Sequence, residues 1–168
     1  MVPSLRRSLP SLLTAVLFLA VSVTCVKALG ISTNTIQLDS VTLNGSDQLT
    51  NGSTTAWRVD ASDTSTGWNV TLSANDFSDG NGHFISADSF DVRLQDQNIV
   101  IISGSSGPVS TQISYAALGG APVKIVSSAS GQGTGVYDVS PDFRLSVPAE
   151  TYAGTYSTTV TVTITTGP

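Results

Sequence analysis

Apolar and polar residues alternate with a period of two along several short stretches of this chain. The last stretch shows it most clearly. Tyr156, Thr158, Val160, Val162 and Ile164 fall on one side of an extended backbone, and Ser157, Thr159, Thr161, Thr163 and Thr165 fall on the other. That pattern predicts a strand with one face in a core and one in water. A slip of one residue would bury the hydroxyl row and expose the apolar one, so the register should be firm. Trp68, Val70 and Leu72 alternate with Asn69, Thr71 and Ser73. Phe143, Leu145 and Val147 alternate with Arg144 and Ser146, and Trp57 and Val59 with Arg58 and Asp60. Ile36, Leu38, Val41 and Leu43 predict an opening strand whose phase changes near Ser40, as at a bulge. Two short apolar runs, Asn98–Ile102 and Val123–Val126, predict strands buried on both faces.

Turn signals separate these stretches. Asn44-Gly45, Asn51-Gly52, Asp79-Gly80, Asn81-Gly82 and Gly119-Gly120 suit the positive φ of tight turns. Residues 104–107 and 127–135 read as loops, and Pro108, Pro122, Pro141 and Pro148 stand where strands begin or end. No window keeps apolar residues at helical spacing. Short strands at short, regular intervals predict an all-β protein, an Ig-like antiparallel β-sandwich.

The first 28 residues are of another kind. Arg6 and Arg7 precede an apolar run from Leu12 to Val23, and Val26-Lys27-Ala28 offers a small-residue cleavage site. This is the layout of a secretory signal peptide. The run is shorter than the ~20 residues a membrane span needs, which disfavours an uncleaved anchor. A lipoprotein signal at Cys25 would want small residues where Val23 and Thr24 stand. Cleavage after Ala28 leaves residues 29–168 as a single domain in a secreted protein, with no further membrane span. Cys25 is the one cysteine, so that domain has no thiol and no disulfide.

Charge narrows the partners. Residues 29–168 hold four basic side chains (Arg58, Arg93, Lys124 and Arg144) against 12 acidic ones, a formal charge of −8. Nucleic acid and anionic membranes are poor partners for such a surface. Catalytic chemistry is scarce. His83 is the only histidine, and it lies in an Asp/Gly-rich turn where holding it as a general base is unfavourable. No nucleophile elbow, phosphate loop or dinucleotide fingerprint appears. Spacing singles out no carboxylate pair from the many aspartates, and Glu150 is the one glutamate. The sequence therefore predicts a protein that is not an enzyme and carries no cofactor or catalytic metal. Asp76, Asp79 and Asn81 put oxygen donors near glycines, as a calcium loop would. The spacing is not that of an EF-hand and the closing Glu is missing, so a hairpin loop is the preferred reading. Asn44, Asn51 and Asn69 each open an Asn-x-Ser/Thr sequon, as chance allows in a chain this rich in Ser and Thr.

The two tryptophans carry a family resemblance. Thr55-Ala-Trp57-Arg-Val59-Asp60, then Thr66-Gly-Trp68-Asn-Val70-Thr-Leu72, then Gly80-Asn-Gly82 resemble the first half of a WxL domain. Trp68-Asn69-Val70 stands for the proximal Trp-x-Leu motif, with Val for Leu. The distal motif is matched in frame from Tyr156 through Val160, Thr161, Val162, Thr163 and Ile164 to Pro168, with Val162 in place of the second Trp. The resemblance implies an exported Gram-positive surface protein held non-covalently on the cell wall, with peptidoglycan or other cell-surface proteins as partners. It implies ligand contacts at Trp68, Val70, Tyr156, Thr161, Val162, Thr163 and Ile164. From the residues alone, each Trp lies on the apolar face of a strand, where core packing competes with glycan stacking. The chain closes at Gly167-Pro168 without a sortase motif, so non-covalent retention or free secretion is expected.

A second resemblance points elsewhere. Leu145-Ser-Val-Pro148-Ala-Glu-Thr151-Tyr-Ala-Gly154-Thr-Tyr156 is similar to the end of spore-coat U or fimbrial subunits, sandwiches that assemble by β-strand addition. An Ig-like adhesive module is a third possibility, with no residue pointing for or against it.

Overall fold

The computed structural model describes residues 29–168; the signal peptide expected over residues 1–28 lies outside them. The protein is all-β and every strand pairing is antiparallel. Strands are numbered in chain order. One sheet holds, in spatial order, β1 (Gly30–Ser32), β4 (Trp57–Asp60), β13 (Gly135–Val139) and β9 (Ile99–Gly104). A second holds β10 (Val109–Ser110), β12 (Val123–Ser128), β5 (Trp68–Ala74) and β15 (Val160–Thr166). A third holds β11 (Ala116–Ala117), β8 (Phe90–Arg93), β14 (Asp142–Val147), β3 (Gln48–Ser53) and β2 (Gln37–Leu38). A short hairpin, β6 (Phe77–Ser78) with β7 (Phe84–Ile85), stands apart. Among the described residues, only two single-turn 3-10 helices, Ala87–Ser89 and Asp96–Asn98, interrupt the pattern. No helix among the described residues is long and apolar enough to cross a membrane.

The sheets close on one core, as in a sandwich. Trp57 of the first sheet meets Phe143 of the third with ring centroids 6.0 Å apart, and Trp68 of the second meets Tyr137 of the first at 5.7 Å. Phe90 stacks on Phe143 at 5.6 Å and takes the edge of Phe77 at 5.1 Å. These are the offset and edge-on geometries that the ring quadrupole favours. The period-two residues of β4, β5 and β14 point into this core as expected, with Val59, Leu72 and Phe143 among those fully buried. On the outer face of the third sheet, directly opposed residues form two ion pairs: Arg93–Asp142 at 3.0 Å and Arg144–Asp91 at 2.8 Å. Both guanidinium groups sit over the Tyr115 ring.

Five expectations need correction. The Asn98–Ile102 run is not buried on both faces: from Ile99 onward it forms β9, an edge strand with Val100, Ile101 and Ile102 exposed by about half. An uninterrupted apolar run fits a buried strand and an overhanging edge equally well. The run Val123–Val126 lies in β12, between β10 and β5, but Lys124 is exposed. A register shift there leaves Ile125 as an extra residue, so Ile125 and Val126 both turn inward. Asn51-Gly52 is not a turn but the middle of β3, opposite Arg144 and Phe143. A Cβ on Gly52 would lie 2.8 Å from Leu38 Cδ2 and 3.1 Å from Phe143 Cβ, so the glycine serves close packing. Finally, β15 starts at Val160 rather than Tyr156, and only Gln37–Leu38 of the Ile36–Leu43 stretch enters a ladder. Ile36, Leu38, Val41 and Leu43 still pack against the core.

Candidate functional site

The two segments that carry the resemblance to a WxL domain lie side by side. β5 and β15 pair in register, with Trp68 opposite Thr166, Val70 opposite Ile164, and Leu72 opposite Val162. The period-two pattern makes this ribbon one-sided. Val162 and Ile164 pack against the core, while Thr161, Thr163 and Thr165 face water.

Trp68 is not a ligand face. It is 0% exposed, and its indole N–H donates to the Gly133 carbonyl at 2.8 Å. Gly133 has a φ of +66° and lies against Ser128 and the Trp68 ring, a site with no room for a side chain. Val70 and Trp57 are buried as well, the indole of Trp57 donating to Thr54 Oγ1 at 3.2 Å. Of the seven residues that the resemblance marks as ligand-binding, Trp68 and Val70 are thus part of the core. The two exposed threonines, 161 and 163, form a hydroxylated strip.

Tyr156 is placed differently. It stands where two open clefts meet. One, of about 540 Å³, runs between residues 38–43 and 151–156, over a floor that includes Phe77, Ile85 and Leu145. The other, of about 600 Å³, runs between residues 34–38 and 155–160, over Phe77 and Phe90. Leu38, Phe77, Thr155 and Tyr156 line both. The Tyr156 hydroxyl donates to the Tyr152 carbonyl at 3.1 Å, which ties the two ends of the loop together. Tyr152 is 63% exposed and lines the first cleft. Burial, with Asp79 and Tyr152 nearby, raises the pKa of the Tyr156 phenol. Among the described residues, Asp39 is the only carboxylate lining either cleft.

Behind this loop lies the Asp/Gly-rich turn of the β6–β7 hairpin. Its carboxylate, Asp79, and that of Asp76 just before β6 both accept hydrogen bonds from backbone amides. Asp79 Oδ1 accepts from the amides of Asn81 at 2.8 Å and His83 at 3.1 Å, and Asp79 Oδ2 lies 2.6 Å from His83 Nδ1. Asp76 Oδ1 accepts from the Ala87 amide at 2.9 Å. Asp79 and Asn81 lie in the turn, Asp76 stands just before β6, and no group of three His, Cys, Asp or Glu side chains placed to hold a metal ion occurs among the described residues. The hydrogen bond from His83, followed by those amides, holds the Asp79 carboxyl far below the ordinary carboxylate range. His83 stacks on Tyr152 with centroids 4.0 Å apart and planes 16° apart. Two backbone hydrogen bonds between Ser78 and Ser157, of 2.9 and 3.0 Å, tie the hairpin to the same loop. Tyr152, Phe77 and Asp39 escaped the sequence reading, although two tyrosines flanking Gly154 just before a strand were a visible aromatic signal.

No protein-family model matches this chain, and no curated protein matches it. One similar solved structure is a family 123 glycoside hydrolase from Clostridium perfringens, at 16% sequence identity and a TM-score of 0.39. The match covers 72% of this chain and 19% of that one, so the chain spans about a fifth of its length. A likeness that weak says nothing of activity here.

Proposed function

We propose that this chain is an exported, non-catalytic surface domain that associates with cell-wall glycan, and that it does so through the Tyr152–Tyr156 cleft rather than through Trp68. The observation that carries this reading is the open cleft beside an exposed tyrosine. Its size and its mostly apolar lining with a few polar groups are those of a ligand site. Tyrosine offers a flat apolar face to the C–H face of a sugar ring and a hydroxyl at its rim. The apolar floor suits an N-acetyl methyl group. A surface of charge −8 disfavours polyanionic wall polymers and leaves the glycan strand of peptidoglycan as the ligand. The WxL-like frame of β5 and β15 agrees with a wall-associated role, and the segment expected as a signal peptide agrees with export. Glycoside hydrolysis in its usual form needs two carboxylates flanking the bond. Among the described residues, Asp39 is the one carboxylate that lines the clefts, which favours binding without cleavage.

The test is co-sedimentation with purified Gram-positive peptidoglycan, comparing wild type with Tyr152→Ala. Tyr152 is exposed, so circular dichroism should show a folded variant. Saturable binding weakened by roughly 3–10-fold is expected for the loss of one aromatic contact. No sedimentation of the folded wild type, or equal binding by the variant, refutes the reading.

A further inference from the structure

We infer that β9 is a self-association edge, and that a second copy of this chain pairs with it antiparallel through a two-fold axis. This goes beyond glycan binding and does not depend on it. β9 ends its sheet, pairing only with β13, so its other backbone edge has no strand partner among the described residues. Such an edge is a template for another strand. Folded proteins usually guard it with charge, and here the guard is missing. No residue from Gln97 to Val123 is charged, the longest such run in residues 29–168.

That run also concentrates exposed apolar side chains. Val100, Ile101 and Ile102 are 52%, 47% and 48% exposed, and Val109 and Ile113 follow at 55% and 65%. Outside the run, the large exposed apolar side chains among the described residues are Leu49, Phe84 and Tyr152. Val100 and Ile101 lie on opposite faces of β9 and both are exposed, so the strand overhangs the sandwich. Pairing with another strand would cover both faces at once.

Charge selects the occupant. Two copies, each carrying −8, repel everywhere except where charge is absent or neutralised. The neighbouring strand meets this condition too: Asp138, opposite Val100, is neutralised by Arg58 at 2.6 Å. The other long uncharged edge, β15, presents threonines instead of apolar side chains. An antiparallel two-fold pairing uses the same edge of both copies and therefore closes at a dimer. The bulge at Ile102 interrupts the ladder and keeps the paired segment short. Three half-exposed side chains supply well under the ~800 Å² per partner of a stable interface. The association is accordingly weak in solution.

The test is sedimentation velocity on protein recovered from export of the full chain, up to ~1 mM, where weak association registers. The weight-average mass should climb from one chain towards two. Val100→Lys/Ile102→Lys, at exposed positions, should weaken association at least ~10-fold by opposing like charges across the two-fold. Thr163→Lys on β15 should leave it unchanged. Amide exchange on the wild type needs no variant: residues 99–104 should gain protection with concentration. A mass flat to the highest concentration, association unchanged in the lysine variant, or protection arising at β15 or β1 instead would overturn the proposal.

Discussion

Replacing Trp68 by Phe separates a motif residue's structural role from a binding role. Trp68 is fully buried, packs 5.7 Å from Tyr137, and holds the Gly133 carbonyl through its indole N–H. Phe keeps one ring but deletes the donor, leaving that carbonyl unsatisfied in the interior at a cost of ~1–3 kcal/mol. The smaller ring leaves a void beside Gly133, worth about another 1 kcal/mol. The total of roughly 2–4 kcal/mol is a large part of the ~5–15 kcal/mol that holds a domain together. Trp68→Ala would cost ~3–5 kcal/mol for the side chain alone and leave little folded protein to measure, so Phe is the informative choice. Urea unfolding followed by the emission of buried Trp57 and by circular dichroism should show a lower midpoint at unchanged slope. The melting temperature should fall by roughly 3 °C per kcal/mol. Below the transition, peptidoglycan binding should match wild type. A stability loss under ~0.5 kcal/mol would refute the packing argument. Lost binding at unchanged stability would make Trp68 a ligand contact.

Two further tests address the fold and the hairpin. Gly52→Ala places a methyl group 2.8 Å from Leu38 and 3.1 Å from Phe143, and should cost ~1–3 kcal/mol by overpacking β3 against its neighbours, read as a lowered urea midpoint. Asp79 has a folded pKa depressed first by His83, below the ~3.9 of an unfolded aspartate, so its contribution to stability is complete above that value and is lost as pH falls beneath it. Asp79→Asn should therefore flatten the decline in stability between about pH 4 and pH 2 while leaving the remaining acid dependence in place; an unchanged decline would show that the Asp79–His83 contact does not couple to folding.

Much of the fold was legible in the sequence because most strands have one wet face. In β4, β5, β14 and β15 the alternation reports directly which side meets the core, whatever the partner strand. Proline positions were legible for a similarly local reason: a residue without an N–H is confined to strand ends. The candidate site was legible only in part. Tyr156 stood out through a family frame, whereas Tyr152 sits in a loop with no periodicity to mark it.

What the chain determined by itself was what depends on a few neighbouring residues: the inward faces of its alternating strands, an all-β class and an acidic surface. Tertiary structure decided everything that depends on which strands end a sheet and which segments meet. The apolar run at β9 is overhanging rather than enclosed because only β13 flanks it. Asn51-Gly52 is straight rather than turned because both residues pair with β14, and Phe143 and Leu38 fill the space where a Gly52 side chain would be. Trp68 is core rather than surface because its apolar strand face meets Tyr137 of another sheet. The tyrosine cleft exists because residues 34–43 and 151–160, near opposite ends of the domain, come together over Phe77. Long-range contacts of this kind leave no local period, since any apolar residue at those positions would read the same until the sheets close.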